Sequence, residues 1–148
     1  MTWPPGDESG TNTMPTRISQ IQLVMMPTTD QDRSVAFYTA LGFEKRSDFP
    51  WGDGYRWVEI YPPSGNAGIA LVPPRPGDAT RITTGIILNT DDIEATHAQL
   101  RSIGVDVDAE VARVGAPARI RIGAVELAGP MFWFRDPDGN ALLMVQPG

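Results

Sequence analysis

Tyr55, Trp57, Glu59 and Tyr61 alternate along one stretch, with Arg56, Val58 and Ile60 between them. In an extended strand, alternate side chains share a face. Val58 and Ile60 read as the core side, which turns Trp57, Glu59 and Tyr61 the other way. A carboxylate between two aromatic rings can attract a cation or act as a general base. The rings themselves can stack on a planar group. A plainer reading stands beside this one: Trp57 and Tyr61 fill a barrel interior, and Glu59 pairs with Arg56 or another surface base. The same alternation in Met131–Arg135 makes Phe132 and Phe134 core residues and turns Met131 and Trp133 away from it.

Other chemistries lack their residues. The chain has no cysteine, which removes thiol catalysis, disulfides and thiolate metal sites. Its one histidine, His97, lies near the apolar stripe of a predicted helix, where packing is the expected role rather than metal ligation. There is no Ser-His-Asp set, no phosphate-binding loop and no dinucleotide fingerprint. Trp51, in the Gly-flanked turn PWGDGY, is either a lid or an ordinary loop aromatic. Arg119 and Arg121 read as solvated rather than anion-binding. The net charge of −6 argues against nucleic acid and anionic membrane surfaces. No apolar run approaches the roughly 18 residues of a membrane span, and the first residues do not resemble a signal peptide. A cytoplasmic protein is expected.

An internal repeat has to position these side chains. Asp30 to Phe43 reads DQDRSVAFYTALGF, and Asp92 to Val105 reads DIEATHAQLRSIGV; Asp30 and Asp92 are 62 positions apart, as are Gly42 and Gly104. Equal spacing marks a duplicated supersecondary unit. Residues 1–16, rich in Pro, Gly, Ser and Thr, are expected to form a disordered tail. Residues 17–148 form one domain of two units, about 17–74 and 80–147, joined by Pro73-Pro74-Arg75-Pro76-Gly77-Asp78. In the first unit the expected elements are a strand at Ile18–Met26, a helix at Asp32–Leu41, and strands at Glu44–Asp48, Tyr55–Tyr61 and Gly68–Val72. The second begins with a strand at Ile82–Leu88. Asp91 and Glu94 have capping-box spacing before a helix that runs to Ser102, with a buried stripe of Ile93, Thr96 or His97, Leu100 and Ile103. Strands follow at Val105–Val111, Met131–Arg135 and Ala141–Val145, and Ala118–Leu127 is either a hairpin or a mobile loop. Each unit reads β-α-β-β-β. Eight strands and two helices give an α+β protein whose tandem modules curve a mixed, mostly antiparallel sheet around a cleft.

Three stretches carry a resemblance: Asp30 to Phe43, Thr90 to Ile93 with Gly104-Val105, and Phe134-Arg-Asp-Pro-Asp-Gly-Asn140. Over about residues 18–147 the chain resembles the vicinal oxygen chelate superfamily, which includes glyoxalase I, ring-cleaving dioxygenases and bleomycin resistance proteins. The resemblance implies the glyoxalase/bleomycin resistance fold. It also implies four metal-ligand positions, two per unit, on the first and last strands. Counting seven residues before Asp30 and Asp92 gives Leu23 and Gly85; three after Asn140 gives Leu143, and its partner in the first unit is about Ala70. None of these four can coordinate a metal, so no metal or other cofactor is expected, and no glyoxalase I activity. Leu23, Gly85 and Leu143 would line the cleft, joined by Met25, Ile87 and the residues already named.

The expected ligand-binding set is therefore Leu23, Met25, Trp57, Glu59, Tyr61, Gly85, Ile87, Met131, Trp133 and Leu143. It suits an aromatic or cationic small molecule, bound or sequestered as the bleomycin resistance branch does, by a homodimer. The alternative is an enzyme of the superfamily, a lyase, isomerase or dioxygenase, with a non-standard metal site or with Glu59 as its general base.

Overall fold

The computed structural model describes residues 16–52, 54–79, 81–113 and 129–147, and the backbone of 121–122 and 125–126. The expected tail lies outside the described residues, apart from Thr16. The first unit contains β1 (Leu23–Pro27), α1 (Gln31–Ala40), β2 (Glu44–Pro50), β3 (Arg56–Tyr61) and β4 (Gly68–Val72). The second contains β5 (Thr83–Asn89), α2 (Ile93–Ser102), β6 (Asp106–Val107), β7 (Arg121–Ile122), β8 (Val125–Glu126), β9 (Met131–Arg135) and β10 (Ala141–Val145).

The two units build matching sheets, ordered β1-β4-β3-β2 and β5-β10-β9-β6. In each, the first strand runs parallel to the last, and the other pairs are antiparallel. The stretch expected to be a hairpin or a loop contributes the short β7–β8 ladder, which brings the strands among the described residues to ten where eight were expected. Two other elements are shorter than expected. β1 starts at Leu23, not Ile18, because its partner β4 begins at Gly68, directly opposite Leu23. The strand expected at Val105–Val111 keeps only Asp106–Val107 in a ladder, with an isolated bridge at Ala112.

Both helices start on an aspartate whose carboxylate accepts the N–H three residues on: Asp30 from Arg33 and Asp92 from Ala95. This satisfies one of the donors a helix start leaves unpaired. The cap of α2 is thus Asp92, not Asp91. The helices stop before Gly42 and Gly104, at φ values of 103° and 83°, which glycine adopts at little cost. On α2, Ile93, His97 and Leu100 are buried as expected, but Ile103 is the residue that caps the last turn and stands 53% exposed.

One core unites the two units. Met26, Val58, Ile60, Ile69 and Leu71 come from the first sheet, Phe132, Phe134, Leu142 and Met144 from the second, and Tyr38, Ile93 and Leu100 from the helices. A polar seam at the start of α1 joins the units as well. The Asp136–Asn140 turn places Asp138 against Thr28 and Thr29, whose hydroxyls donate to it at 2.7 and 2.6 Å. Tyr38 donates to Asp136 at 3.0 Å, and the Asn140 amide donates to the Pro27 carbonyl at 3.0 Å. Among the described residues, no helix is long and apolar enough to cross a membrane.

Candidate functional site

Since Val58 and Ile60 lie in the core, strand alternation leaves Trp57, Glu59 and Tyr61 on the opposite face of β3. The ladder extends that face across the sheet. Ala70 on β4 lies opposite Glu59, and Met25 on β1 lies opposite Ala70. The three β3 side chains form a connected unit. Trp57 Nε1 donates to Glu59 Oε2 at 2.7 Å, and the Tyr61 hydroxyl donates to Glu59 Oε1 at 2.8 Å. A half-buried carboxylate is thereby fixed between two rings.

Among the described residues no base pairs with Glu59. Arg56, one alternative partner, projects from the other face and holds Asp32 at 2.8 Å and Asp48 at 3.0 Å. The hydrogen bond to Glu59, then burial, pushes the Tyr61 phenol above its usual range, so it serves as a donor. The Arg46 guanidinium sits 4.6 Å from the centre of the Tyr61 ring, within cation–π reach. Among the described residues each Glu59 oxygen accepts one bond, which leaves lone-pair capacity for a ligand donor.

Trp51 extends this aromatic set. Its ring meets Trp57 edge to face with centroids 5.2 Å apart, and the Trp51 backbone N–H donates to the Tyr55 carbonyl, which closes the turn. Trp51 also walls a cavity of about 510 Å³, with Met25, Val72, Pro73, Arg75 and Ile82 around it. This volume falls within the range of small-molecule pockets. Sequence reasoning named Trp51 and Met25 but missed the linker wall. The run Pro73-Pro74-Arg75-Pro76 was the available signal, since proline holds a chain extended and stiff enough to form one.

The second unit's candidates lie on a separate sheet, and the free edges β1 and β5 do not pair. Ile87 is exposed opposite Leu143. Leu143 and Met131 are buried with Val145 in a satellite cluster against Ala112 and Trp133. They take the face opposite the main core, but Ala112 and Trp133 pack over them. Leu23 lies opposite Gly68, and Gly85 occupies a register irregularity in β5 at φ 73°.

At the four positions that the resemblance implies for metal ligands, Leu23, Ala70, Gly85 and Leu143, the side chains offer no donor atom. Met25 and Ile87, which the ladders place opposite Ala70 and Leu143, add only a thioether and a hydrocarbon. Among the described residues, no group of three His, Asp or Glu could hold a metal. These residues do not fit the hard O/N donor set of such a site. His97 packs on Phe132 and hydrogen-bonds the Asp108 carbonyl at 2.7 Å, the packing role expected of it. Arg119 lies outside the described residues, and of Arg121 only the backbone is described.

A family model described as the glyoxalase/bleomycin resistance protein/dioxygenase superfamily matches residues 20–144. The chain belongs to this superfamily. Among solved members, TnmS3, an antibiotic binding protein from Streptomyces sp. CB03234, is 30% identical and aligns with a TM-score of 0.67 over 90% of this chain and 99% of its own. A superfamily member from Sphaerobacter thermophilus is 28% identical, with a TM-score of 0.70 over 88% and 98%. A glyoxalase I variant from Zea mays, 19% identical with a TM-score of 0.65, covers 87% of this chain and 46% of its own, and shares the fold alone. No curated protein sequence matches the chain.

Proposed function

We propose that this superfamily member binds a planar aromatic or cationic small molecule and sequesters or carries it, without a catalytic metal. The observation that carries this reading is Glu59, a half-buried carboxylate held by Trp57 and Tyr61 and paired with no described base. Ring faces and an uncompensated carboxylate attract the same kind of guest, a flat body carrying positive charge. The adjoining cavity of about 510 Å³ offers room for it. Support also comes from the 30% identity to an antibiotic binding protein and from the net charge of −6. The alternative use of Glu59, as a general base, has no particular observation in its favour: both its oxygens are held by the Trp57 and Tyr61 donors, and the described charged groups beside Tyr61, Glu44 and Arg46, pair with each other.

The same reading includes a homodimer. The free edge strands β1 and β5 carry exposed Val24, Met25 and Ile87. Unpaired edges with apolar side chains are surfaces that proteins usually cover, and a two-fold dimer is the commonest cover.

Isothermal titration with proflavine, a planar cation, and acridone, its neutral counterpart in shape, tests the ligand class. Proflavine should bind at one per chain and at least about tenfold tighter than acridone, a difference of about 1.4 kcal/mol. Glu59→Gln should abolish that difference. Equal affinities for the two compounds in the native protein would overturn the reading.

A further inference from the structure

The polar seam closes the two units together at the start of α1, whereas the opposite end of this helix is hollow. A cavity of about 200 Å³ lies between the end of α1 and the second unit. Leu41 and Phe43 from the first unit and Leu88, Leu100 and Met144 from the second form its walls. Phe43, Leu100 and Met144, each less than a tenth exposed, form an apolar inner end. The walls are not wholly apolar. Thr90 and Thr96 line it with their hydroxyls 2.7 Å apart, and Asn89 and Gln99 bring amides that can donate and accept.

None of these residues belongs to the Trp57–Glu59–Tyr61 face, and the cavity lies on the helix side of the sheets, where Leu88 and Met144 join the core. An apolar void of about 150 Å³ is enough to admit benzene. A hollow of this size with an apolar end and polar groups on its other walls selects a guest by shape and by one polar atom. We propose that this hollow is a second small-molecule site, which takes a single-ring aromatic carrying one hydrogen-bonding substituent. The ring fills the space between Phe43, Leu100 and Met144, and the substituent meets Gln99 or the threonine hydroxyls. Since both units contribute walls, the guest holds the units together where the seam lacks polar bonds.

The test uses the full chain with ¹³C-labelled methionine methyls, titrated with phenol and with toluene. Met144 reports the hollow, Met25 the open face of the first sheet, and Met131 the integrity of the second. Phenol should shift the Met144 signal saturably, with half-saturation on the order of a millimolar, and leave Met131 in place. Ala40→Phe fills the mouth from an exposed helix position and should weaken that shift at least tenfold. Gln99→Leu should weaken phenol several-fold and leave toluene unchanged. The absence of a saturable shift at Met144, or movement of Met25 alone, overturns the proposal. So does a phenol response that survives Ala40→Phe. If Ala40→Phe disturbs Met131, Gln99→Trp replaces it as the blocking variant, and a response that survives there overturns the proposal equally.

Discussion

Glu59 and Tyr38 show how strand and helix position determine the role of one polar group. Alternation along β3 was enough to place Trp57, Glu59 and Tyr61 on one face, and the same parity explains why Arg56 does not reach Glu59: it shares the face of Val58, whose ladder partner Asp48 it holds at 3.0 Å. That both rings turn their donors onto one carboxylate was not legible, because side-chain rotation is not encoded in spacing. Tyr38 presents the complementary case. Its ring is fully buried, and its hydroxyl donates to Asp136. Burial, then the neighbouring Asp136 charge, pushes the phenol far above its usual range, which keeps it a donor. Tyr38→Phe leaves a buried carboxylate with one donor fewer, at an expected cost of about 1–3 kcal/mol. Thermal unfolding should show it as a fall in Tm of roughly 2–4 °C per kcal/mol. An unchanged Tm would mean that the hydroxyl contributes nothing beyond its ring. On the ligand face, Tyr61→Phe should weaken proflavine binding several-fold by freeing Glu59 on one side, with no comparable loss for acridone.

At the scale of elements, the repeat was a better guide than local motif spacing. Asp91 and Glu94 looked like a capping box, yet the 62-residue offset pointed from Asp30 to Asp92, the residue that caps the helix. A second contact repeats with it. The Asp30 and Asp92 N–H groups donate to the hydroxyls of Thr28 and Thr90, which fixes the start of each helix in the same turn. Asp92→Ala should therefore cost about 1 kcal/mol, and Asp91→Ala should stay within about 0.5 kcal/mol, as denaturant titration would measure. Equal losses at both positions would return the cap to Asp91. Gly85 poses a different question. The offset identified it as the counterpart of Leu23, but not that β5 departs there from the even register of β1. The cause is conformational: with φ at 73°, the residue occupies a region open to glycine and strained for others. A Cβ there would meet no heavy atom within 4 Å. Gly85→Ala should consequently cost about 1–2 kcal/mol through backbone strain alone, and Leu23→Ala offers the unstrained comparison.

For the whole molecule, the sequence made both βαβββ units and their order legible, because the duplication repeats across strand, cap, helix and stop. It did not make the seam legible. The Asp136–Asn140 run read as a turn, and nothing in local spacing shows that a turn late in the second unit lies against Thr28, Thr29 and Ser34 in the first. That contact is set by tertiary packing of the shared core. The seam gives the molecule a pH signature through two carboxylates that act in opposite directions. Burial raises the Asp136 carboxyl, only partly offset by bonds from Asn140 and Tyr38, so its cost to folding grows as pH rises above the unfolded value of 3.8. Burial also acts to raise Asp138, but the Thr29 and Thr28 hydrogen bonds and the Arg33 charge outweigh it and hold that carboxyl below 3.8. Stability from a depressed carboxylate is present above its unfolded pKa and is lost as pH falls through the folded one. Asp138→Asn removes this anion with little change in shape. At neutral pH the variant should be less stable by about 1–3 kcal/mol, the range for a buried group that loses its charged hydrogen bonds. From about pH 4 downward the gap between the proteins should narrow, because the unfolded Asp138 takes up its proton there and the folded one follows at lower pH. Urea unfolding at a series of pH values reads this directly. A gap that stays constant across that window would show that Asp138 holds the units together by shape and neutral hydrogen bonding, with no contribution from its charge.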